Sequence, residues 1–415
     1  MKTKPFLKVY IAVVTLACAI WASAESVQVV VREAQGRSGP GSFYPLVVLI
    51  PEKTKLDILD RKKSWCKVNF KDLDTCWVAE NSLSTEEAKA PDSPLSSMTT
   101  TAAVSITASP ATLTAAIKGF WTRYSRTDKR KLAELPVNGY DVPPESYTAF
   151  SENRSTVVGQ DKLHKKYRLS SKFKKSRFKY EKEHSIGYTI ASSIAEGTLY
   201  EDERVVEYIQ EVGWYIAEST ERYDIRFIFY VLDTDRINAV SCPGGYVVLT
   251  RGLLDKLHDE AELAALLAHE MAHVIAGHAM QSMEEDKTRI TADSAFDALD
   301  KETQSEPGEL EEELIAITNR AVSIATSPKL DEQEYEADRM ALRYLARSGY
   351  DLNGLPRLLN TLMTEHEQRI DMFDLNYRNH PDFKERLRRV ERELREYRNY
   401  EGRTFDSDFE KNMML

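Results

Sequence analysis

The sequence has little of what an integral membrane protein needs. A transmembrane helix takes about 20 consecutive apolar residues. The longest apolar run, at residues 9–20, falls short of that length, and no later stretch approaches it. We therefore expect the mature chain to contain no membrane helix.

The sequence also lacks an excess of positive charge. Its 56 lysine and arginine residues are outnumbered by 66 aspartate and glutamate residues, for a formal net charge of −10. Because polyanion binding needs clustered excess cations, this balance excludes a general nucleic-acid-binding protein. Hydrophobic residues at 42% are typical of globular proteins, and 415 residues suffice for two or three domains.

The first 24 residues have the pattern of an export signal. Lys2, Lys4 and Lys8 precede the apolar run at residues 9–20, and a small-x-small motif ends at Ala24. This pattern predicts a signal peptide over residues 1–24, cleaved after Ala24, and an exported protein of the periplasm or cell envelope. The alternative is an uncleaved anchor.

Cysteine is scarce, with four residues in the chain, one of them inside the predicted signal. Cys66 and Cys76 lie in two short β-type runs joined by a polar turn. A hairpin would place them across from one another, which predicts a disulfide in an oxidising compartment. The alternative is two unrelated buried thiols.

Composition and periodicity divide the rest of the chain into units, and together they predict the α+β class. These units are a small β-barrel (26–83), a flexible Ser/Thr/Ala/Pro-rich linker (84–115), an uncertain basic region (116–182), a mostly helical domain (183–398) and a C-terminal tail (399–415). Within the helical domain, residues 225–232 and 245–250 are predicted strands, and residues 238–245 connect them.

The tract at residues 162–182 interleaves lysines with aromatic side chains. One interpretation is peripheral contact with anionic lipid or with acidic segments of a partner. The other is a solvated helix face. Both remain open.

The strongest chemical signal is HEMAH at residues 269–273. It lies in a run of helix formers that begins with a capping pair, Asp259 and Glu262. Histidines four apart share one helical face, so both imidazoles can reach one metal ion. Glu270 follows the first histidine and is positioned to activate an attacking water molecule as general base.

His278 is a poor candidate for the third ligand. It lies nine residues after His269, on roughly the opposite helix face. Ala276 and Ala279 occupy the positions where a metzincin carries its glycine and its further ligand. We expect His278 to be a surface or packing histidine, or one that orients a neighbour.

A better candidate lies in a second predicted helix, between Pro328 and Gly349. One of its faces carries Glu334, Ala337, Asp338, Ala341 and Leu345, whereas Glu332 and Glu336 face elsewhere. Two carboxylates on such a face are costly unless they meet a cation or donors. Either Glu334 is the ligand and Asp338 supports a zinc histidine, or both are solvated acids on a helix rim.

Three motifs resemble one family. HEMAHVIAGH, EYEAD and the upstream NAVSCPGGYVVLTRGLL together look like the gluzincin endopeptidases of the HtpX, BepA and CAAX prenyl protease family, and the missing membrane helices favour the periplasmic BepA-like branch. Residues 26–83 similarly resemble a bacterial SH3-like domain, which implies a cell-wall or protein partner; the alternative is a folding unit without a specific ligand.

The family resemblance implies a set of site residues and an activity. It implies one Zn²⁺ per chain, held by His269, His273 and Glu334, with Glu270 catalytic and Asp338 orienting the site or donating a proton. It also implies that His380, in Asn379-His380-Pro381, lies over the zinc as a reversible ligand or stabilises the oxyanion; the alternative is a residue at the N-terminal end of a helix with no catalytic role. The implied activity is hydrolysis of peptide bonds in misfolded or stalled envelope proteins.

We expect residues 245–250 to be an edge strand that pairs with an extended substrate. The alternative function is a zinc-containing chaperone or assembly factor with little proteolysis.

Overall fold

The computed structural model describes residues 25–70, 73–85, 135–169, 180–195, 199–285, 319–325, 327, 330–373 and 382–413. The strands are β1 Glu25–Val29, β2 Glu33–Arg37, β3 Leu46–Pro51, β4 Lys55–Lys62, β5 Trp65–Phe70, β6 Leu73–Ala79, β7 Leu83–Ser84, β8 Ile228–Leu232, β9 Ala239–Cys242 and β10 Tyr246–Thr250. The helices are α1 Pro144–Val158, α2 Gln160–Lys166, α3 Tyr180–Ile194, α4 Glu203–Ala217, α5 Arg251–Leu254, α6 Glu260–Ala276, α7 His278–Glu285, α8 Asp331–Ser348, α9 Gly354–Gln368, α10 Phe383–Glu393 and α11 Asp406–Met413. A strand-rich unit followed by a helical one confirms the α+β class.

The predicted signal peptide and almost all of the predicted linker lie outside the described residues. Within the described ranges, no helix combines the length and apolar composition needed to cross a bilayer.

The first unit is a seven-stranded sheet in the order β3-β2-β6-β5-β4-β1-β7, with neighbouring strands antiparallel. Val48 and Ile50 of β3 share one apolar core with Val27 and Val29 of β1, although these strands lie far apart in the sheet order. The sheet therefore wraps around its core, as the SH3-like resemblance implies.

Cys66 and Cys76 are buried free thiols, so the predicted disulfide is not formed. In the antiparallel pair of β5 and β6, Cys66 lies opposite Val78 and Cys76 lies opposite Val68. The cysteines are thus diagonal neighbours, whose Cα atoms lie about 7–8 Å apart, beyond the usual reach of a disulfide. Burial raises the pKa of the Cys76 thiol to about 11, which keeps it protonated in the apolar core.

The sheet unit packs directly against the helical unit. The Phe43 ring, in the turn after β2, lies 4.2 Å from the Tyr147 ring and 6.1 Å from the Trp214 ring, between ring centroids. At a second contact the Asn81 backbone N–H donates to the Tyr223 hydroxyl at 2.9 Å. These contacts attach the first unit to the helical unit independently of the segment that joins them.

The helical unit contains a three-stranded sheet in the order β8-β10-β9. The prediction that residues 245–250 form an edge strand is wrong, because β10 pairs with β8 on one side and with β9 on the other. β9 lies in the segment predicted as a connection. Its four residues are too few for a clear alternating pattern, and Gly244 and Gly245, with φ of 75° and 94°, turn the chain back into β10.

Helix α6 runs through the centre of the main apolar core and packs against α4, α8 and α9. Its start matches the predicted cap, since the Asp259 carboxylate accepts from the Glu262 N–H at 2.8 Å. The helix ends at Ala276 and is capped by Gly277, whose φ of 73° lies in the left-handed region that glycine tolerates.

The first residue of α6, Glu260, is fully buried and is held by a cation and two hydroxyls. Arg154 donates to it from Nε at 3.0 Å and from Nη2 at 2.6 Å. The Tyr350 hydroxyl donates at 2.7 Å, and the Tyr208 hydroxyl donates as well. This cluster ties α1, α4 and α6 together.

Replacing Glu260 by alanine should lower the free energy of unfolding by about 3–5 kcal/mol, because a buried guanidinium then loses its carboxylate. Urea denaturation measures this difference. The matched control is Glu80→Ala, which removes the exposed Arg61–Glu80 pair and should change stability by less than about 1 kcal/mol. Equal effects of the two substitutions would contradict a structural role for the cluster.

Candidate metal centre

The C-terminal half of α6 carries His269, Glu270 and His273. The two histidines are about one helical turn apart, and their Nε2 atoms lie 3.2 Å from each other. The exposed fractions of the three side chains are only 5%, 5% and 4%. Three ionisable side chains are therefore held together in the interior of the helical unit.

Glu334 of α8 completes a group of three donors. Its Oε2 lies 3.3 Å from His269 Nε2, and its Oε1 lies 3.2 Å from His273 Nε2. Ala337 and Ala341, on the same face of α8, are fully buried and allow a close approach to α6. The structure thus brings together the three residues that the sequence motifs had suggested as metal ligands.

The spacing of these donors suits a zinc ion. Two ligand atoms at about 2.0–2.1 Å from a tetrahedral zinc lie about 3.3 Å apart. The observed separations are 3.2, 3.2 and 3.3 Å. Two imidazoles and one carboxylate also form the ligand set of catalytic zinc sites, which reserve a fourth position for water or substrate.

Asp338, one turn after Glu334 on α8, lies behind the first histidine. Its Oδ1 is 3.0 Å from His269 Nδ1, the ring nitrogen remote from the three-donor group. An acceptor at that position leaves Nε2 free to bind metal through its lone pair.

Arg386 of α10 is a site residue that the sequence patterns had not singled out. It donates to Asp338 from Nε at 2.9 Å and from Nη2 at 2.7 Å, and its Nη1 lies 2.9 Å from Glu334 Oε2. The side chain is 3% exposed. The sequence of α10 looks uniformly charged, which hides its buried face. The spacing of Arg386 from Phe383 and Val390 is the signal that could have identified it, because this spacing places all three residues on that face.

These contacts shift two pKa values. Burial raises the pKa of Asp338, but the Arg386 charge and the contact with His269 outweigh it and bring the pKa to about 2. Burial and Arg386 lower the pKa of His269, whereas hydrogen bonds with Asp338 and Glu334 raise it to about 9. Asp338 is therefore a carboxylate, and metal binding must displace a proton from His269.

His278 and Glu336 lie closer to the site than their sequence positions suggested. His278 is 1% exposed, so it is not a surface histidine, and its Nδ1 lies 2.8 Å from His273 Nδ1. Glu336, predicted to face elsewhere, places Oε2 3.3 Å from His278 Nε2. Glu336 therefore reaches the site indirectly, through His278.

Besides the signal peptide and the linker, two further predictions fall wholly or partly outside the described residues. His380 is among them, so its role above the zinc stays a prediction. The same holds for residues 170–179 of the basic tract.

Comparisons with known proteins connect the chain with metalloproteases. Residues 203–394 match the description "Peptidase family M48". Over 166 residues the chain is 33% identical to the "Putative beta-barrel assembly-enhancing protease" of Vibrio cholerae, covering 39% of this chain and 33% of that protein. It is 30% identical over 159 residues to "Metalloprotease LoiP" of Escherichia coli, covering 37% and 57%, and 29% identical over 189 residues to "Mitochondrial metalloendopeptidase OMA1" of Schizosaccharomyces pombe, covering 46% and 53%.

The chain spans about a third of the length of the beta-barrel assembly-enhancing proteases that it matches. The matched part contains α6 and α8, which carry the three candidate metal ligands, and the helix that carries Arg386. Residues 203–394 are therefore similar to peptidase family M48, a family of zinc-dependent metalloproteases, and beta-barrel assembly-enhancing proteases are among the proteins that the chain resembles.

Proposed function

We propose that the protein is a zinc-dependent endopeptidase of the cell envelope that hydrolyses peptide bonds in misfolded or stalled envelope proteins. The observation that carries the proposal is the convergence of His269, His273 and Glu334 within 4.8 Å, beside the buried Glu270. The pattern of residues 1–24 supports the location.

A zinc ion held by the three donors would supply a Lewis acid that polarises the scissile carbonyl and acidifies a water molecule. Glu270 then acts as general base and takes the proton of the attacking water. It returns that proton to the leaving amine, which lets the peptide bond break.

Asp338 and Arg386 prepare the site for this reaction. Asp338 holds the His269 ring by its Nδ1 and so directs Nε2 to the metal. Arg386 lies between the Asp338 and Glu334 carboxylates and offsets their charge where water cannot. Neither residue needs to contact the substrate in order to orient the site.

The alternative is a zinc-containing assembly factor with little proteolysis. The name "beta-barrel assembly-enhancing protease" of several relatives is the reason to test this alternative. Glu270 favours the enzyme, because a structural zinc site has no use for a base beside its ligand, and such sites are usually closed sets of four ligands rich in cysteine.

Glu270→Gln should reduce the rate of casein cleavage by about 10²–10⁴-fold, because the general base is lost. Zinc content should stay at one ion per chain, since Glu270 is not a ligand. The matched control is Glu332→Gln on α8, whose side chain is 84% exposed and which should keep full activity. Equal activity of wild type and Glu270→Gln, or none in either with zinc bound, would favour the assembly factor.

Glu334→Ala should lose bound zinc and activity together, because two imidazoles remain of the three donors. Metal content after gel filtration and the rate of casein cleavage measure the two effects. Glu332→Ala, two residues earlier on the same helix, serves as the control. A Glu334→Ala protein with full zinc and full activity would show that the ligand assignment is wrong.

A further inference from the structure

The two metal-facing histidines are supported in different ways. His269 Nδ1 contacts a carboxylate, Asp338, at 3.0 Å. His273 Nδ1 instead lies 2.8 Å from another ring nitrogen, the Nδ1 of His278. The His278 ring is buried and lies edge-on to His273, with ring centroids 4.9 Å apart and an interplanar angle of 69°.

Two imidazole nitrogens at this distance must share one proton. Two N–H groups facing each other would repel, and so would two lone pairs, so one nitrogen donates and the other accepts. The direction follows from the metal site. His273 Nε2 lies among the donors of His269 and Glu334, where a ligand needs its lone pair.

A neutral His273 with its lone pair on Nε2 carries its proton on Nδ1. It therefore donates to His278 Nδ1. A neutral His278 that accepts at Nδ1 carries its own proton on Nε2, and that nitrogen lies 3.3 Å from Glu336 Oε2. Each assignment fixes the next.

We infer that His278 and Glu336 are positioning residues that fix the tautomer and orientation of His273 through the chain His273 Nδ1–H to His278 Nδ1 and His278 Nε2–H to Glu336. This inference rests on the metal centre of the proposed function. It assigns His278 no contact with the metal, because His278 touches the edge of the His273 ring remote from Nε2.

The backbone explains how a histidine five residues after His273 can reach its ring. Helix α6 ends at Ala276, and Gly277 adopts a left-handed conformation before α7 begins at His278. The break in the helix turns His278 back toward His273, whereas a continuous helix would carry it to another face.

The two supports should differ in strength. Asp338 is a buried carboxylate that holds His269 directly. Glu336 acts through a neutral ring, and its side chain is 49% exposed, so water screens its charge. Loss of His278 should therefore weaken the site more than loss of the Glu336 charge.

The first test measures the zinc dissociation constant of the full chain by competition with a fluorescent chelator. His278→Phe keeps a ring but removes the acceptor, and zinc affinity should fall about 10–100-fold. His278→Asn returns an oxygen close to the position of Nδ1 and should recover most of that loss. Glu336→Gln should cause a smaller loss, and the neighbouring Glu332→Gln none.

The second test is independent of affinity. In zinc-loaded protein with ¹⁵N-labelled histidine, the ring-nitrogen shifts of His278 should show an unprotonated Nδ1 and a protonated Nε2. The signals are assigned by their absence from the spectrum of His278→Asn.

Several results would overturn the inference. They are unchanged zinc affinity in His278→Phe, failure of His278→Asn to restore an affinity that His278→Phe has lost, and a proton on Nδ1 of His278. Wild-type protein that binds no zinc would instead refute the metal centre, so failure of the proposed function and failure of the relay give different results.

Discussion

The close packing of α8 against α6 is the contact on which the site depends. Alanine at positions 337 and 341 removes the side-chain bulk that would hold the helices apart. Glu334 can then extend between the two imidazoles, and Asp338 can reach the back of His269. Without that approach the carboxylates would be buried next to apolar side chains, which is strongly unfavourable. The apolar packing and the polar site therefore depend on each other.

The ionisable groups of the site come from three helices. α6 brings the imidazoles, α8 brings two carboxylates, and α10 brings the guanidinium of Arg386. Arg386 lies within ion-pair distance of both carboxylates, so its positive charge offsets part of their negative charge. Such a buried cluster is weak as a source of stability but strong as a constraint on geometry, because moving any member leaves another unpaired.

Much of the fold and of the candidate metal site could be predicted from the sequence, and the predictions that failed did so for physical reasons. The spacing of His269 and His273 and the apolar face around Glu334 depend on helical periodicity alone, which local sequence encodes. The contacts of Arg386 and Glu336 with the site were not predicted, because their partners are distant in the chain and the sequences of their own helices are rich in charged residues. His278 lies outside the three-donor group, as predicted, but its burial beside His273 was not predicted, because Gly277 breaks the helix and turns His278 back. Strand β9 was not predicted because its four residues are too few to show an alternating pattern. The predicted disulfide was wrong because the strand register, which sets the cross-strand neighbours, cannot be seen in two short runs of sequence.

The most direct test of the account is a crystal structure of the zinc-loaded protein, with diffraction measured on both sides of the zinc absorption edge. We expect one anomalous peak at about 2.0–2.2 Å from Nε2 of His269, Nε2 of His273 and a carboxylate oxygen of Glu334, with a fourth position open to solvent. A peak bound by His278, or a site closed by four protein ligands, would contradict the account.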